Sequence, residues 1–141
     1  MSFREKSAWI TLVSVLVCFG IYFWELVASH AGGRRLGPLP SLHLLLLAVS
    51  GLVLLQIALT AFAAATTPKD ARAPADERER LIQWRAHTLG YHVLTVLALL
   101  LFVPIHFGHS ALDMANFALL AVVISTLCVC AAQIVMYRRG F

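Results

Sequence analysis

Glu25, His43, His106, His109 and Asp113 are side chains of types that hold metal ions or move protons. Imidazole nitrogen and carboxylate oxygen together form a donor set for Zn²⁺ or Cu²⁺. His43 and His106 also fall on different apolar segments at similar depth, where two imidazoles could act as axial ligands of a b-type haem. His30 lies in the adjoining loop. None of these spacings is diagnostic. Interfacial histidines also hydrogen-bond to water, headgroups and loop carbonyls without holding anything, so no cofactor is expected, with metal or haem as the alternative.

A lone glutamate in a first membrane span can exchange protons for a cationic substrate in a small proton-coupled transporter. Glu25 lies about one helical turn from the outer end of its segment, close enough to snorkel toward water. That position is too near one face for a residue that must serve both. Further along, Arg85, Thr88 and His92 follow one another at three- and four-residue steps, which places them on one helical face. His87 and Tyr91 form a second such pair. These polar groups, with Gln56 and Gln133, read as hydrogen-bonding stitches between helices, with neutral His92 bonded to a neighbouring helix. A small-ligand or proton site is the alternative. No nucleophile, base and orienting group fall together, and neither a glycine-rich phosphate loop nor an aspartate-rich metal motif occurs. An enzyme is not expected.

The elements that must position these residues are set by composition. Of 141 residues 60% are apolar and only 13% charged, where a soluble domain carries about 25% charged; mean hydropathy is +0.83. Four apolar segments, at 8–28, 41–65, 84–107 and 112–137, are each long enough to cross about 30 Å of hydrocarbon. Lipid offers the backbone no partners, so these must be helices; runs such as Leu44-Leu45-Leu46-Leu47 lack the alternation of a barrel strand. The expected fold is an all-α, four-helix transmembrane bundle in one domain. Apolar residues surround each helix, so no stripe marks the buried face. Cys18, Cys128 and Cys130 lie within these segments and read as small apolar residues. Arg4 and Lys6 before the first segment, and Ser29-His30-Ala31 after it, resemble a signal peptide, but the apolar run exceeds the roughly 7–15 residues of such a core. A retained first span is expected.

Of the 11 Lys and Arg residues, all but Arg34 and Arg35 fall at the two ends, in the 66–83 connection or, as Arg85, just after it. This bias predicts both termini in the cytoplasm and an up-down-up-down path. The net charge of +4 is spread over the gaps between spans, a pattern of orientation and headgroup contact rather than of direct nucleic-acid binding. Trp9, Trp84 and Tyr137 suit the inner interface, Tyr22 and Trp24 the outer. Short connections, through Gly32-Gly33 and Gly108, make sequential helices neighbours. Ala61, Ala63, Ala64, Ala65, Ala131 and Ala132 permit close helix contact within the chain or in a homo-oligomer. The 66–83 connection begins as an irregular linker. Asp76 with Glu79 three residues on is a capping-box signal, so the third helix is expected to start there and to project about two turns into the cytoplasm.

The run Asp76-Glu77-Arg78-Glu79-Arg80-Leu81-Ile82, with Arg85-Ala86-His87 and Gly90-Tyr91, resembles an uncharacterised family of small four-span bacterial inner-membrane proteins. The opening Ser2-Phe3-Arg4-Glu5-Lys6-Ser7-Ala8-Trp9 is similar to theirs. The resemblance implies a bacterial inner-membrane location. It also implies a regulatory pairing with a small cytoplasmic helix-turn-helix protein, since such genes often lie side by side. Physically, Arg78, Arg80 and Arg85 can reach anionic headgroups, each worth on the order of 1 kcal/mol. Asp76, Glu77 and Glu79 are not needed for that. A mixed-charge helix start suits a docking surface for a cytoplasmic protein, and equally an ordinary solvated helix start. The expected role is a non-enzymatic interaction or regulatory module working through this segment.

Overall fold

The computed structural model describes residues 3–33, 37–66 and 76–139. The linker expected after Thr66, with Lys69 and Arg72, and the outer pair Arg34 and Arg35 lie outside the described residues. Five helices follow in order: α1 (Phe3–Ala31), α2 (Pro38–Thr66), α3 (Glu77–Leu100), α4 (Phe102–His106) and α5 (Ala111–Arg139). With α3 and α4 taken as one segment, the chain has four helices of 29, 29, 30 and 29 residues that are long and apolar enough to cross a membrane. At 1.5 Å per residue each measures about 43 Å, well beyond the roughly 30 Å hydrocarbon core.

Local chemistry sets the helix ends. The α1 helix stops at Gly32-Gly33, where Gly33 takes φ +71° and its N–H donates to the His30 carbonyl at 3.1 Å. Pro38 opens α2, where its missing N–H costs nothing. At α3 the expected capping box is present in full. Asp76 is the N-cap, its carboxylate accepts from the helix-start N–H groups, and Glu79 reaches back to the Asp76 N–H at 3.3 Å. Ser110 and Asp113 make a second box at α5, with the serine hydroxyl donating to the Asp113 carboxylate at 2.7 Å.

The third apolar segment is not one unbroken helix, as its hydropathy had implied. It breaks at Leu101, three residues before Pro104. Proline cannot donate to the Leu100 carbonyl and its ring crowds that group. The Leu101 N–H instead turns to Ala98 at 3.2 Å.

Packing departs from the order of the sequence. The α1 helix packs on α2 and on α5, and α5 packs in turn on α3, while no comparable interface joins α2 to α3. The helices thus form a row, α2–α1–α5–α3. Burial follows this order: 22% and 28% of the most apolar windows of α1 and α5 are buried, against none in α2 and 6% in α3. The two edge helices present apolar surface such as Leu47, Leu54, Phe62, Val96 and Leu99 outward, which lipid tails solvate without penalty. The core cluster is Val15, Phe19 and Tyr22 of α1 with Val123 of α5, flanked by Leu44, Leu45 and Leu52 of α2. Tyr22 meets Phe19 and Phe23 edge-on, at 6.4 and 5.1 Å between ring centres.

Within the chain, close helix contact is seen at Gly90. A Cβ at Gly90 would collide with the Val129 side chain, and the Ser125 hydroxyl donates to the Gly90 carbonyl at 2.8 Å. Of the six alanines singled out in the sequence, only Ala63 is buried.

Candidate functional site

Charged groups gather at one end of the molecule. Arg4 near the start of α1 pairs with Glu79 in the first turn of α3 through Nε at 2.7 Å. Arg138 near the end of α5 lies 3.8 Å from Glu5 and stacks over the Trp9 ring, 5.5 Å from its centre. These contacts bring the starts of α1 and α3 and the end of α5 together as a collar. Glu79 thereby serves twice, as the capping partner of Asp76 and as the counter-ion of Arg4. Asp76, Glu77, Arg78, Arg80 and Arg85 are all exposed around it.

Beneath the collar, α1, α3 and α5 line a half-open cavity of about 570 Å³, within the usual range for small-molecule sites. Each helix contributes a short polar stripe. On α1 these are Arg4, Ser7 and Thr11, at helical steps of three and four; on α3, Gln83 and His87; on α5, Gln133 and Tyr137. Phe3, Ala8, Val129 and Cys130 supply the apolar part of the wall. Among the described residues, Arg4 is the one lining group with a fixed charge, and no carboxylate faces the space. The Tyr137 hydroxyl is shut off from solvent without a hydrogen-bond partner. Such a group costs about 1–3 kcal/mol while unpaired.

The face of α3 that carries Arg85, Thr88 and His92 points outward. His92 Nδ1 lies 2.7 Å from the Thr88 carbonyl of its own helix, not against a neighbouring helix as expected. Tyr91 and His87 are both exposed; Tyr91 is edge-on to the His92 ring at 5.7 Å, and of the two only His87 lines the cavity. Gln56 is half-buried on α2, and Gln133 also belongs to the cavity. The stitches that join helices are others, read from the sequence in different roles or not at all. Tyr22, taken for an interfacial aromatic, is only 2% exposed and donates to Asn116 Oδ1 at 2.7 Å. Ser125 does the same for α5 and α3.

A comparison with protein-family models, curated proteins and solved structures finds no match. The site is therefore read from its own chemistry.

At the opposite end, Glu25, His43, His106 and His109 are all exposed. Asp113 is engaged in the α5 cap, His106 is edge-on to Phe107 at 6.1 Å, and His109 packs by Phe117 at 5.7 Å. Helix α4 ends at His106 and Gly108 turns the chain at φ +73°, which takes His106 and His109 off a common helical face. His30 Nδ1 lies 2.8 Å from the Leu26 carbonyl. Among the described residues, no three His, Cys, Asp or Glu side chains come together in a way that could hold a metal ion.

The cavity has a weak sequence signal. Ser7 and Thr11 continue from Arg4 at three- and four-residue steps, as Gln133 and Tyr137 continue from Cys130. Serine and threonine in apolar helices often bond their own i−4 carbonyls, as Thr88, Thr95 and Thr126 do here at 2.8–2.9 Å. Their positions alone therefore do not single out a site.

Proposed function

We propose that this chain is a non-enzymatic, multi-pass inner-membrane protein that acts by interaction, with the charged collar in the cytoplasm as its docking surface. In this reading both termini are inside, the path is up-down-up-down, and the start of α3 stands proud of the membrane. The charge bias supports the orientation, since all but two of the 11 Lys and Arg residues belong to the collar end or the connection leading to it. The partner is a cytoplasmic protein with a mixed-charge face, of the helix-turn-helix regulator class that the family resemblance implies.

The observation that carries this reading is the bracing of the α3 start. A solvated helix end needs only its cap. Here Glu79 is also held by Arg4 from another helix at 2.7 Å, so the exposed charges of Glu77, Arg80 and Arg85 are presented in a fixed arrangement. Preorganised charge gives an interface orientation and selectivity more than bulk affinity.

Reversing the charges of Glu77, Arg80 and Arg85 together, with Arg4 and Glu79 intact, tests it. Recovery of a purified helix-turn-helix regulator on the full-length protein should fall by about tenfold or more, because like charges set face to face cost several kcal/mol. Insertion and helical content should stay as they were. Recovery equal to that of the unaltered chain would refute the docking role.

A further inference from the structure

We propose that the cavity under the collar is a binding site for a phosphate-bearing head, with an apolar wall for the body attached to it. This goes beyond the docking role; it shares Arg4 with that reading and takes its orientation in the membrane from it. The lining chooses the ligand by what it offers. Arg4, Gln83, His87, Gln133 and Tyr137 can all donate hydrogen bonds. Among the described residues no carboxylate lines the space, and the nearby Glu79 is already committed to Arg4 and to the Asp76 N–H, so an ammonium or guanidinium head would find no uncommitted counter-charge there. An acceptor-rich phosphate satisfies these donors, and the Arg4 guanidinium adds a charge-assisted donor whose charge Glu79 already partly balances.

Among the described residues the Tyr137 hydroxyl is one of three side-chain groups, with Trp9 Nε1 and Ser14 Oγ, that are shut off from solvent without a partner; of the three residues, Tyr137 is the one that lines the cavity, so its hydroxyl is the donor a bound acceptor would satisfy. Phenylalanine at this position would give the same packing without an unpaired donor. Volume fits as well, since about 570 Å³ exceeds what a lone phosphate fills. The remaining space lies against Phe3, Ala8 and Val129, which suits a glycerol backbone or the first methylenes of a chain.

Position supplies the third argument. With the collar at the cytoplasmic face, the cavity opens at headgroup level between three helices, a setting in which basic pockets take phospholipid heads. A soluble phosphate monoester from the cytoplasm has the same head. The proposal is the phosphate site; the two sources are separated by experiment.

The test uses the full-length protein in a mild detergent, titrated with phosphatidylglycerol, phosphatidylcholine, a ubiquinone analogue or inorganic phosphate, with bound species counted by native mass spectrometry. One phosphatidylglycerol should be retained about tenfold more tightly than the quinone, which presents carbonyls but no anion. Tyr137→Phe and Gln133→Met each remove a donor at nearly constant volume. Each should weaken retention about tenfold, as expected for a hydrogen bond to an anion, with the thermal transition of the ligand-free protein not lowered. Saturation by inorganic phosphate with weak lipid retention would assign the site to a soluble phosphate, whereas retention of lipid that phosphate does not displace would assign it to the membrane. Arg85→Gln, an exposed charge away from the cavity, separates a site from a sticky surface. If Arg85→Gln reduces lipid retention while Tyr137→Phe and Gln133→Met leave it intact, the proposal fails. It fails equally if neither phosphate species binds, or if the quinone binds as tightly as the lipid.

Discussion

Tyr22 and Asn116 show what a polar group inside a membrane helix is for when no ligand is involved. They are far apart in sequence, on α1 and α5, and their 2.7 Å bond lies beside the core cluster. Water does not compete there, yet such bonds are worth only about 0.6 kcal/mol on average and at most about 1.7, because the loosened state in lipid finds other partners. Tyr22→Phe and Asn116→Leu should therefore each destabilise the protein modestly in a denaturing-detergent titration. The double variant should cost less than the sum, with a coupling of about 0.6 kcal/mol. Strict additivity would mean that the bond contributes nothing to association of the two helices. The sequence placed Tyr22 at the outer interface because aromatic residues collect there. Trp24 and Trp84, both more than 70% exposed, follow that rule. Tyr22 does not, since only the neighbour that supplies its acceptor distinguishes it, and that neighbour comes from another helix.

Helix ends are where sequence and structure agree most closely, for a physical reason. A capping box is closed by residues three apart, so Asp76 and Glu79 announce the start of α3 without knowledge of the rest of the fold. What the local pattern cannot contain is the second use of Glu79 by Arg4. Two substitutions separate the roles. Asp76→Ala removes the cap and should cost about 1 kcal/mol, seen as faster hydrogen exchange confined to the amides of the first turn of α3. Glu79→Gln can still accept from the Asp76 N–H but loses the ion pair. It should leave that exchange nearly unchanged while loosening the start of α1. Equal fraying in both variants would show that the collar and the cap are a single unit. The break at Leu101 was legible in principle from Pro104, but a proline inside a long apolar run leaves the hydropathy signal unaltered. His87 lines the cavity while Tyr91 does not, for a related reason. Residues four apart differ by only about 40° around a helix, and which of them faces α5 is decided at Gly90, where the backbones come close.

At the scale of the molecule, the number and length of the membrane helices follow from composition, and their arrangement does not. Each helix is apolar on nearly every side, so the pattern names no inward face, and the row α2–α1–α5–α3 emerges only from contacts such as Ser125 with Gly90 and the packing of Leu44 and Leu45 on α1. The same row explains why the outer histidines and acids do not converge. His43 is on one edge helix, His106 and His109 follow the other, and the two central helices lie between them. The end that does converge is the basic one, and this turns the charge bias into a testable arrangement. If the collar faces the cytoplasm, a fluorescent-protein fusion after Phe141 should glow and an alkaline-phosphatase fusion there should be inactive. Alkaline phosphatase inserted between Arg34 and Arg35, on the connection from α1 to α2, should be active. Moving the bias should move the protein: Arg4→Glu, Lys6→Glu and Arg138→Glu with two lysines added beside Arg35 should produce a mixed population with both reporters partly active. A uniform population with the phosphatase active at the C-terminus of the unaltered chain would put the collar outside. The docking surface would then face away from any cytoplasmic regulator, whereas the phosphate cavity would keep its chemistry and exchange one leaflet for the other.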